Sequence, residues 1–175
     1  GIVHRLDKNA AGLLVVAKTA DCQQRLGRMF ERHTIKRTYW GLVDGVVPVD
    51  MTIDKNIVRH PQHRTIFTTT EQGGRRAITH LHVLERYAKH TLCEFTLETG
   101  RTHQIRVHFS FIGHPLVGDT LYGNKSNLIN SIPNSIKRTI TTRQNVQKIQ
   151  KENHLRFTSG NYSYLKLEDV KAVNI

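Results

Sequence analysis

The longest uninterrupted apolar run in this chain is Leu13–Ala17. A membrane-spanning helix needs about 18 such residues, so none is expected here. A core must instead come from many short elements brought together. Turn signals separate those elements at Asp44-Gly45, at Glu71-Gln72-Gly73-Gly74 and at Gly113 with Pro115 close behind. Leu13–Lys18 reads as a buried strand. Thr19 is placed to cap a helix on which Cys22, Leu26, Met29 and Phe30 form one apolar face, with Arg25, Arg28, Arg32 and His33 opposite. Ile35–Val43 is rich in strand formers. Met51–Val58 and Arg64–Thr70 read as two strands either side of the polar stretch Arg59–His63. Ala77–Leu84 and Thr91–Leu97 read as a hairpin with Glu85–His90 as its loop. Thr102 is expected to cap a second helix that carries Ile105, Phe109 and Ile112 and stops at Gly113. A last strand is expected at Tyr162–Leu167. Hairpins mixed with helices predict an α+β fold with a mixed, largely antiparallel sheet flanked by helices. At 175 residues the prior is one domain, with 124–175 its divergent C-terminal part, and a core that needs no disulfide or metal.

Charge narrows the partner. Lys and Arg number 26 against 14 Asp and Glu, a formal balance of +12. Such a chain usually meets a polyanion, and nucleic acid is the default. No acidic residue lies between Asp119 and Glu152, where Lys125, Lys137, Arg138, Arg143, Lys148 and Lys151 fall. Cys22 and Cys93 are too few for a disulfide scaffold, which points to a reducing, cytoplasmic setting. The histidines at 60 and 63, 80 and 82, and 103, 108 and 114 lack a matching Cys or carboxylate pattern, and no Gly-rich phosphate loop is present. Neither a metal nor a cofactor is expected, nor is a membrane partner, and the expected state is a monomer.

Three segments are candidates for chemistry. In His4-Arg5-Leu6-Asp7-Lys8, flanking cations keep Asp7 ionised and able to act as nucleophile or base. A surface ion-pair cluster would look the same. In Glu98-Thr99-Gly100-Arg101-Thr102-His103-Gln104-Ile105-Arg106-Val107-His108, Gly100 allows a sharp turn and puts Arg101 near a helix start. There it can pair bidentately with a carboxylate from elsewhere in the chain. The alternative is a capped basic helix with solvated arginines. In Lys36-Arg37-Thr38-Tyr39-Trp40, strand geometry puts Arg37 and Tyr39 on one face. Tyr39 there either stacks on a nucleobase or packs on its sheet.

Taken in order with Leu13–Lys18 and Ile112-Gly113-His114-Pro115-Leu116-Val117-Gly118-Asp119, these blocks resemble the RluA-type family of RNA pseudouridine synthases. The resemblance runs from Gly1 to about Gly123. It implies the family's catalytic-domain fold and isomerisation of uridine to pseudouridine in structured RNA, ribosomal RNA foremost and transfer RNA next, without metal or cofactor. By the same resemblance, Asp7 is the essential aspartate and Tyr39 stacks on the target base and helps remove its C5 proton. Arg101 pairs with the aspartate. Arg5 lies near the RNA, and the neighbouring cations Lys8, Lys36 and Arg106 are assigned to RNA with it. Ala10-Ala11 stands where the family often has Thr-Ser, and Arg76 where Pro is common. Family domains carry strands ahead of the His-Arg-Leu-Asp block, so the expectation is a domain incomplete at its N-terminus. The alternative reading is a non-catalytic, RNA-binding remnant of such an enzyme.

Overall fold

The computed structural model describes residues 1–7, 10, 13–123 and 170–174. Lys8, the basic stretch from Lys125 to Lys151 and the strand expected at Tyr162–Leu167 lie outside them. In chain order the elements are β1 Leu13–Ala17, α1 Ala20–Glu31, β2 Arg37–Asp44, β3 Met51–Asp54, β4 Asn56–Arg59, β5 Phe67–Thr70, β6 Ile78–Arg86, β7 His90–Leu97, α2 Gln104–Phe111 and β8 Val170–Asn174. The chain divides into two compact units, Gly1–Arg32 with Ser131–Ile175, and His33–Asn130.

In the first unit β1 pairs antiparallel with β8, Leu13 opposite Asn174 and Ala17 opposite Val170. Ile2 bridges Val16. Thr19 is the N-cap of α1, its hydroxyl accepting from the Cys22 amide at 3.2 Å. Cys22 and Leu26 are buried along the apolar stripe read from the sequence.

In the second unit four strands pair antiparallel in the order β2-β7-β6-β3. β4 and β5 form a separate hairpin. The core cluster is Val43, Val47, Ile53, Leu81, Cys93, Phe95 and Phe109, with the Phe95 and Phe109 rings 4.7 Å apart. α2 contributes Phe109 to it and Val107 to a second cluster with Ile57 and Ala77. Burial raises the Cys93 thiol to about 12, with the Asp50 carboxylate adding to it, so Cys93 is a packing residue rather than a reactive one.

Several boundaries differ from expectation, among them the start of β5 at Phe67 rather than Arg64. Met51–Val58 is two strands in different sheets, because Asp54 still pairs with β6 whereas Asn56 pairs with β5. Lys55 between them donates to Ala77 O, and its carbonyl accepts from His108 Nε2. The β6–β7 turn shrinks to residues 87–89, since a bulge between Val83 and Glu85 lets β6 run on to Arg86. Thr102 is not the cap of α2. His103 holds that position with φ +55° and no side-chain cap bond, and Gln104 satisfies the turn instead.

Candidate active site

Asp7 and Arg5 belong to the first unit; Tyr39, Lys36, Arg101 and Arg106 belong to the second. In the first unit the segment leading to Asp7 is tied to β1 at several points. The Val15 amide donates to His4 Nε2 at 2.9 Å, and the Ala17 amide donates to Gly1 O at 2.9 Å. The His4 ring stacks on Phe30 of α1, with centroids 4.8 Å apart. Asp7 O accepts from the Ala10 amide at 2.9 Å. Asp7 is half-buried and Arg5 is exposed. His4 thus ties the segment three positions ahead of Asp7 to β1 and α1.

In the second unit, β2 runs from a partly exposed start to a buried end at Leu42 and Val43. Lys36, just ahead of the strand, and Thr38 within it are exposed, and the Trp40 indole donates to Glu94 Oε2 at 2.9 Å. Tyr39 is half-buried, packs against the core cluster and lies opposite Phe95. The ring thus has sheet packing, the second of the two roles open to it in the sequence.

Arg101 is mounted on the turn that joins β7 to α2. Its Nε donates to Arg76 O at 2.8 Å. Among the described residues of its unit, no carboxylate pairs with its guanidinium. Arg37 lies across the same turn, with Nη2 donating to Glu98 O at 3.3 Å. A Cβ on Gly100 would overlap Arg37 Nη1. The glycine serves this close approach rather than a left-handed backbone. Burial, followed by the guanidiniums of Arg75 and Arg37, holds Arg101 below the ordinary arginine pKa. Such a cluster of partly desolvated cations favours an incoming anion.

Arg106 is occupied otherwise. It forks onto Asp119, Nε to Oδ2 at 2.7 Å and Nη2 to Oδ1 at 2.8 Å, and lies over the Tyr122 ring at 4.8 Å. The Tyr122 hydroxyl accepts from the Phe67 amide at 2.9 Å and meets His103 Nδ1 at 2.8 Å. Arg106 therefore anchors the loop after α2.

Arg37, Thr99, Gln104 and His108 stand inside the candidate blocks of the sequence, but the sequence reading gave none of them a role in the site. One signal was present: a Gln three residues after Arg101, the spacing at which a side chain reaches back to a free amide at a helix start.

The sequence profile of the RNA pseudouridylate synthase family matches residues 1–111, which include Asp7, Tyr39 and Arg101. The chain belongs to the RNA pseudouridylate synthase family. Its RluA-type character rests on relatives such as ribosomal large subunit pseudouridine synthase D of Nitrosomonas europaea, 53% identical over 126 residues, covering 72% of this chain and 36% of that protein. The Neisseria meningitidis serogroup B protein of the same name is 50% identical over 124 residues, covering 71% of this chain and 33% of the relative. This pseudouridylate synthase domain therefore spans about a third of the length of the curated relatives it matches. Among solved structures, human RNA pseudouridylate synthase domain containing 1 superposes with a TM-score of 0.67 at 30% identity, over 75% of this chain and 58% of that one. The α+β fold with its largely antiparallel sheet is that of the family. No helix among the described residues is long and apolar enough to cross a membrane.

Proposed function

We propose that the protein isomerises uridine to pseudouridine in structured RNA of the cytoplasm, with large-subunit ribosomal RNA the foremost substrate. The match of residues 1–111 to the pseudouridylate synthase family carries this reading. The names of the relatives from Nitrosomonas and Neisseria support the choice of RNA. The reaction balances without a cofactor. The N1–C1′ bond breaks, C5 joins C1′, a proton leaves C5, and N1 takes one up.

Asp7 is the reacting carboxylate, Arg101 is its ion-pair partner, and Tyr39 stacks on the uracil and assists loss of the C5 proton. A duplexed uridine must first leave its stack, at a cost of a few kcal/mol. Stacking on Tyr39 and contacts from exposed cations such as Arg5 and Lys36 offset that cost. Lys8 is placed with them by its neighbourhood in the sequence. The pairing of Arg106 with Asp119 removes it from this group.

The test is tritium release from C5-labelled large-subunit ribosomal RNA by the full-length protein. Stoichiometric release at defined uridines is the expected result. Salt-sensitive RNA binding with no release would overturn the reading in favour of an RNA-binding remnant.

Tyr39 gives a sharper check. Tyr39→Phe keeps the ring, its stacking and its packing on the core, so RNA affinity should hold while turnover falls. Tyr39→Ala should also weaken base capture by about 1–3 kcal/mol. Equal turnover of Tyr39→Phe and wild type would exclude the hydroxyl from the mechanism.

A further inference from the structure

Gln104 is 3% exposed, and its side-chain amide uses every hydrogen-bonding position it has. Oε1 accepts from the Arg101 amide at 2.9 Å and from the Thr99 hydroxyl at 2.8 Å. Nε2 donates to Ile78 O at 2.9 Å and to Thr79 Oγ1 at 3.0 Å. The Arg101 amide can only donate and the Ile78 carbonyl can only accept, so the amide group has one possible orientation. The chain of bonds continues behind it. The Lys55 carbonyl can only accept, so His108 Nε2–H donates to it at 3.1 Å, and in the neutral ring Nδ1 accepts from the Thr79 hydroxyl at 2.9 Å. Burial lowers the pKa of His108, against the Lys55 carbonyl and Asp54, which favours the neutral ring of this pattern. Thr99 Oγ1 in turn accepts from the Ile78 amide at 2.9 Å.

Both backbone polar groups of Arg101 are held by this one residue, since Arg101 O also accepts from the Gln104 amide at 3.1 Å. With Nε fixed on Arg76 O, the direction of the Arg101 fork is set from two sides. We propose that Gln104 is the positioning residue for Arg101, acting through the Arg101 backbone and not by touching RNA. The proposal rests on the reading of Arg101 as partner of the reacting carboxylate. A side chain that only filled space here would be replaceable by methionine. One that aims Arg101 is not.

The test uses the full-length protein and measures kcat, KM, RNA affinity and thermal unfolding for Gln104→Glu and Gln104→Met, each alone and combined with Arg101→Ala. Small misplacement of a catalytic group costs up to about 100-fold in rate. The expected result is a roughly ten- to hundredfold loss of kcat with KM and affinity within a few-fold. No further loss is expected in the Arg101→Ala background. For Gln104→Glu the deficit should shrink as pH falls, because the protonated carboxyl regains a donor for Ile78 O. Should the Gln104 variants fail to fold, Thr99→Val decides, since it removes one of the two donors to Oε1. Thr99→Val should lose turnover that Thr99→Ser retains. Folded Gln104 variants with normal kcat would overturn the proposal. So would losses of equal size with and without Arg101, or a Thr99→Val protein as active as Thr99→Ser. If Arg101→Ala alone leaves turnover intact, the Arg101 reading itself has failed, and the result separates the two cases.

Discussion

Asp7→Asn abolishes pseudouridine formation while RNA affinity stays within a few-fold of wild type. The substitution keeps the size of the side chain and most of its hydrogen-bonding capacity, and it removes the charge and the proton acceptor. Groups that carry a proton or form a bond in the transition state are worth about 10²–10⁴ in rate. A loss at the top of that range or beyond is expected where one carboxylate does the chemistry. Several ties of the segment that carries Asp7 are independent of that charge. They include the Val15 amide on His4 Nε2, the Ile2–Val16 bridge and the Ala10 amide on Asp7 O. The variant should therefore fold, and thermal unfolding checks that it does. RNA affinity should not fall, because a carboxylate repels phosphate and losing it removes a repulsion. Filter binding and tritium release on the same preparation separate the two effects. Substantial product from purified Asp7→Asn would remove Asp7 from the chemistry. Equal loss of binding and turnover would make it a structural residue.

What was legible in the sequence was what short-range chemistry decides. β1 and α1 were readable because a cap, a period and an apolar run sit within twenty residues of one another, from Leu13 to Arg32. β2 was readable from its strand formers, and the turn at Gly45, with φ +81°, from Asp44-Gly45. The family resemblance was legible for the same reason, since its blocks are contiguous.

Features set by distant partners were not legible. Nothing in Asp54-Lys55-Asn56 shows that the chain changes sheets there. Ala77 and His108 decide it. The start of α2 misled because Thr102 is the better capping residue by type, whereas the buried pairing of Gln104 with Thr99, Ile78 and Thr79 requires the helix to begin after His103. β8 pairs with β1 across most of the chain, and its residues Val170–Asn174 carry no local mark that selects that partner. Arg106 was a cation in a functional block by sequence, and its partner Asp119 lies beyond the helix that carries it.

That last pair carries the largest expected change in stability. Arg106→Met should destabilise the protein by about 3–5 kcal/mol at pH 7, the usual cost of stranding one partner of a buried ion pair. The Asp119 side chain is 4% exposed and that of Arg106 21%, so the carboxylate is shielded from water by the guanidinium that the substitution removes. Burial by itself pushes the Asp119 carboxyl up. The fork from Arg106 and the amides of Leu121 and Tyr122, at 3.0 and 3.1 Å, outweigh it and hold the group below its ordinary value. A depressed carboxylate stabilises the fold fully above its unfolded pKa, near 3.9. That contribution is lost as pH falls through the lower, folded value. In Arg106→Met the burial remains and its main compensation is gone, so the carboxyl rises and takes a proton at higher pH. Protonation removes the stranded charge. The difference in Tm between wild type and variant should therefore be widest near pH 7, at about 2–4 °C per kcal/mol for a chain of this size. It should narrow steadily toward pH 4. Thermal unfolding followed by circular dichroism across that range is the measurement. A gap that is absent, or that stays constant with pH, would show that the Arg106–Asp119 pair does not hold this loop.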